Sequence, residues 1–71
     1  MERKELVAVI EAASAMPVPI GQPLLLQVLE QLRREPQAGV SALLVRSLGR
    51  MHQRTGNPNV EIALREAEAL P

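Results

Sequence analysis

Apart from Gly49, every proline and glycine in the chain falls in one of three short breaks or at Pro71. The breaks are "MPVPIGQP" at 16–23, "REPQAG" at 34–39 and "GNP" at 56–58. Between them apolar residues recur at three- and four-residue spacing and nowhere alternate with period two, a pattern that makes helices and offers no half-buried strand. Proline lacks the N–H that a helix interior needs and pushes the residue before it toward extended backbone. The punctuation therefore predicts an all-α fold: a compact bundle of four short amphipathic helices, at about 2–15, 23–34, 38–55 and 58–69, joined by Pro/Gly loops.

Each segment presents its own core face. In the first, Leu6, Val9, Ile10 and Ala13 share a side, with Lys4, Ala8, Glu11 and Ala15 opposite. The proline-rich stretch 16–23 reads as a stiff connector, with Pro23 suited to the first position of the second helix. That helix lines up Leu25, Val28, Leu29 and Leu32 and ends on Arg33 and Arg34, whose charges suit a helix C-terminus. Val40, Leu44, Leu48 and Met51 form the stripe of the third helix, which Gly56 closes in the position of a left-handed cap. Asn57 before Pro58 is an N-cap and first-turn pair for a fourth helix, on which Val60, Ala63, Leu64, Ala67 and Leu70 fall together.

With 71 residues the sequence supports a single helical domain, 1–71, in the size range where one core alone gives marginal stability. The chain has no Phe, Tyr or Trp, so Leu, Val, Ile, Met and Ala must do all the packing, and stacking on single-stranded nucleic acid is excluded. It has no cysteine, which removes disulfides, thiolate chemistry and cysteine-based metal sites. Eight acidic and eight basic side chains cancel, so any electrostatic function must be local. The basic charge is seven arginines and one lysine and the acidic charge is all glutamate, a bias that fits a GC-rich or thermophilic source. No apolar run approaches the ~20 residues of a membrane span, and the expected location is the cytoplasm.

An enzyme is not expected. The hydroxyls are Ser14, Ser41, Ser47 and Thr55, the only histidine is His52, and there is no aspartate. Ser47 and His52 are five apart and diverge on a helix, so no nucleophile and base pair forms. His52 has no cysteine or aspartate beside it to complete a metal site, and the isolated glycines make no phosphate loop, so neither metal nor cofactor is expected.

What remains is the third helix. At about 100° per residue Arg46, Arg50 and Arg54 form one narrow stripe, a quarter-turn or more from the core line. Such a ladder suits an anion or an acidic partner, because the guanidinium fork pairs with carboxylate and phosphate; the alternatives are a solvated face or pairing with Glu61, Glu66 and Glu68 of the fourth helix. Leu43 and Val45 lie off the core stripe, Ala42 and Gly49 are seven apart on the far side, and Ile62 sits among glutamates on the fourth helix. The expected interface is Leu43, Val45, Gly49 and Ile62, rimmed by the arginines. The expected function is a small protein–protein interaction module, a homodimer or a small subunit or adaptor of a larger complex, with no membrane or small-molecule partner. The rival is a small helix-turn-helix-like regulator, with a positioning helix ending at "SLG" and Arg46, Arg50 and Arg54 on phosphates. Against it, a reading helix carrying Glu61, Glu66 and Glu68 would be repelled by phosphates.

Overall fold

The computed structural model describes residues 2–71. These residues form four α-helices: α1 (Arg3–Ser14), α2 (Val18–Arg34), α3 (Ala38–Thr55) and α4 (Pro58–Glu68). The all-α bundle expected from the sequence is what the chain forms. Three of the four helices begin and end within a residue or so of their expected bounds.

The exception is α2, which begins at Val18, five residues before the expected start at 23. Pro17 stands at the N-cap and Pro19 in the first turn, where a helix has no intrahelical partner for the missing N–H. The amides of Ile20 and Gly21 both donate to the Pro17 carbonyl, at 3.0 and 2.8 Å. Pro23 lies inside the helix rather than at its first position. It removes a single backbone bond, and both it and Pro19 are exposed, so water can satisfy the orphaned carbonyl. The expected connector is thus reduced to Ala15, Met16 and Pro17.

The other ends follow local chemistry. At the start of α1 the Glu5 carboxylate accepts from the Glu2 amide at 3.2 Å. Gly56 closes α3 with φ +63°, its amide donating to the His52 carbonyl at 2.7 Å. Asn57 caps α4, its side-chain oxygen accepting from the Asn59 amide at 2.8 Å, and Pro58 follows in the first turn.

The core is one cluster: Leu6, Ile10 and Ala13 of α1; Leu25, Val28, Leu29 and Leu32 of α2; Val40, Leu44, Leu48 and Met51 of α3; Val60, Ala63 and Ala67 of α4. Val9, Leu64 and Leu70, also expected there, are half-buried at its margin. The helices run alternately up and down. The Arg3 guanidinium lies beside Gly39 at the start of α3, and Arg54 near its end reaches Ser14 at the end of α1, so α1 and α3 are parallel. His52 faces Glu61 while Ala38 and Ser41 face Ala67 and Glu68, so α4 is antiparallel to α3. α2 and α3 each touch all the other helices, and α1 and α4 do not meet. At about 1.5 Å per residue, α3 spans the longest dimension of the 28 × 22 × 15 Å molecule.

Candidate functional site

Because α1 flanks α3 on one side and α4 on the other, each residue of α3 has an address set by helical phase. Val40, Leu44, Leu48 and Met51 point into the core. Leu43, Ser47 and Arg50 share a hollow with Glu11 and Ser14 of α1. Ser41 and Val45 face α4, as does His52, whose Nε2 lies 3.5 Å from the Glu61 carboxylate. The outer crest is left to exposed Ala42 and Arg46, partly exposed Gly49 and exposed Gln53.

The arginine stripe stays on the surface, but its members meet different surroundings. Arg54 donates to the Ser14 carbonyl at 3.3 Å and so satisfies an open acceptor at the end of α1. Arg50 borders the α1 hollow, and Arg46 stands on the crest beside a second groove. Among the described residues, none of the three lies within ion-pair distance of a carboxylate. The glutamates of α4 are engaged elsewhere: Glu66 with Arg33 of α2 at 3.0 Å, Glu61 with His52 and Arg65, and Glu68 with Arg65 at 3.7 Å. α3 carries three arginines and no carboxylate, and its charge is left uncompensated at close range.

The four apolar candidates do not make one patch. Leu43 and Val45 are half-buried against the core, in the seams that α3 makes with α1 and α4 respectively. Gly49 lies outside both seams, with nothing within 4 Å of where a Cβ would stand. Ile62 is 58% exposed, on the other flank of α4, where it borders a shallow groove with Gln22 and Leu26 of α2.

A groove of about 710 Å³ runs between the first half of α3 and the end of α4. Ala38, Ser41, Ala42, Val45, Ala67 and Leu70 line it, with Arg46 on one bank and Glu68 on the other. Ser41 is nine-tenths buried in its wall, and the hydroxyl finds no hydrogen-bond partner. The hydroxyls of Ser14 and Thr55, by contrast, bond back to carbonyls four residues earlier, at 2.6 and 2.7 Å. Sequence reasoning named Ala42, Val45 and Arg46, and Glu68 as a possible partner of the arginines, but did not place Ser41, Ala67 or Leu70 at this surface. Their signal was a hydroxyl one position off the core stripe, together with the antiparallel pairing that brings the end of α4 to the start of α3.

Ser47 lies on the α1 flank of α3 and His52 on the α4 flank, so these two side chains are not brought together. Among the described residues, no three His or Glu side chains gather to hold a metal ion, and no helix is long and apolar enough to cross a membrane. α3 runs unbroken through Gly49 to Thr55, so the positioning helix expected to end at "SLG" continues past it, and the turn to α4 comes at Gly56 and Asn57. Compared with known proteins, the chain matches no family model, no curated protein and no solved structure.

Proposed function

We propose that the protein is a small non-enzymatic protein–protein interaction module of the cytoplasm, a homodimer or a small subunit or adaptor of a larger complex, which meets its partners through α3 and α4. The observation that carries this reading is the α3–α4 groove: an apolar floor between one unpaired cation and one loosely held anion. An apolar centre with a charged rim is the anatomy of a protein contact, the rim setting orientation more than affinity. The separation of Ser47 from His52 on opposite flanks of α3 supports a binding role over catalysis.

The test is a photo-crosslinking amino acid placed at Ala42, on the groove, and at Gln27, on the exposed side of α2. In the native host the Ala42 probe should join the chain to protein, and the Gln27 probe should not. Adducts to nucleic acid at Ala42 would instead support the second reading, in which the unpaired Arg46 and Arg50 meet phosphates. On that reading binding falls steeply with salt, log K dropping by ~0.9 per phosphate contact per tenfold rise in salt. Glu61 and Glu68 on the neighbouring helix weigh against it, since both would face the same polyanion.

A further inference from the structure

Three features of the α3–α4 face stand unused by the fold. Arg46 and Glu68 line one groove, yet they make no ion pair with each other. Arg46 follows Leu44 by two residues and so stands on the crest of α3, turned away from its own α4. Glu68 is held only by Arg65 of its own helix, in a pair 3.7 Å apart with Arg65 mostly and Glu68 about half in water, an arrangement that contributes little. Gly49 sits mid-helix with open space where a side chain would be; nothing within the chain requires a glycine there, although its helix propensity is well below that of alanine.

We infer that the groove's occupant is a second copy of this chain, paired two-fold so that α3 of each copy lies in the α3–α4 groove of the other. The inference rests on the reading of this face as a docking surface and specifies its partner. Charge complementarity selects this occupant. A helix laid in the groove beside α3 brings its own α4 over the opposite shoulder of the α3 crest, where Arg46 stands. Arg46 then meets Glu68 of the partner subunit, and by symmetry the pair is made twice. Ala42 and Gly49 supply the low surface over which a second α3 can approach, and half-buried Val45 and Leu70 supply the apolar area. Closed pairing of this kind also gives a chain of 71 residues without aromatics the added burial that such small cores need.

The experiment is sedimentation of the full chain over a concentration series, detected by refractive index because there is no Trp or Tyr. The wild type is expected to form a dimer. Arg46→Glu and Glu68→Arg should each weaken it by at least about tenfold, and the double swap Arg46→Glu with Glu68→Arg should recover most of the loss. All substituted side chains are exposed, and circular dichroism at 222 nm checks that each variant keeps its helices. A wild type that stays monomeric overturns the second copy as occupant, while the docking face is still judged by the crosslink at Ala42. A dimer indifferent to the single swaps, or not rescued by the double, overturns the pairing. A dimer that also survives Ala42→Glu uses another face, and if the Ala42 crosslink fails as well, the docking surface itself is wrong.

Discussion

Two corners of the bundle reverse the chain in a few residues, and they do it by opposite means. At the α3–α4 corner everything is local: Gly56 takes the left-handed conformation, Thr55 bonds back to Met51 and accepts from the Asn57 amide at 3.3 Å, and Asn57 caps the next helix. At the α1–α2 corner the start of α2 has no side-chain cap, the end of α1 is met from α3 by Arg54, and the controlling feature is a close approach. Gly21, buried in the first turns of α2, packs so near the Ala13 carbonyl of α1 that a Cβ there would run into it. One corner is set by residues within one turn of it, the other by packing between helices. A glycine is central to both, for unrelated reasons.

That contrast can be broken by substitution. Gly21→Ala should cost the most, about 3 kcal/mol, because the new methyl meets backbone that cannot step aside; urea unfolding followed at 222 nm checks it, and a loss below that of Gly56→Ala would sink the close-approach argument. Gly56→Ala should cost roughly 1–2 kcal/mol, the strain of a left-handed residue with a Cβ, with no change at the first corner by amide chemical shift. Pro23→Ala should stabilise by about 1 kcal/mol, since the restored helix bond outweighs the lost rigidity of the unfolded chain; an unchanged melting temperature would mean that the solvated Pro19 carbonyl costs nothing. Gly49→Ala, measured where the chain is monomeric, should stabilise by about 0.5–1 kcal/mol. Three glycines, all between or within helices, would then answer the same substitution with two signs.

The same division explains what could be read before the structure. The α3–α4 corner was legible residue by residue, because Gly56, Asn57 and Pro58 act on backbone within one turn of themselves. The start of α2 was not: Pro17, Pro19 and Pro23 signal a break, and only the burial of Val18 and Leu25 against the core and the approach of Gly21 to Ala13 of α1 show why helix continues through them. The core stripes of α2 and α3 were legible from spacing alone, since Leu25, Val28, Leu29, Leu32, Val40, Leu44, Leu48 and Met51 are all buried. For the candidate site, phase gave the arginine stripe, but which helix lies on each flank depends on topology. Hence Arg54 was grouped with Arg46 although it serves α1, and Ile62 with Val45 although α4 turns them to different sides.

The lack of contact between α1 and α4 has a dynamic consequence. Either outer helix can leave the bundle without pulling on the other, while α2 and α3 stay joined by their direct contact. Opening of this molecule should then proceed as two separate sub-global events, visible as distinct sets of amide exchange rates. A ligand held between α3 and α4 would slow one set, and its effect would reach α1 only through the shared middle pair.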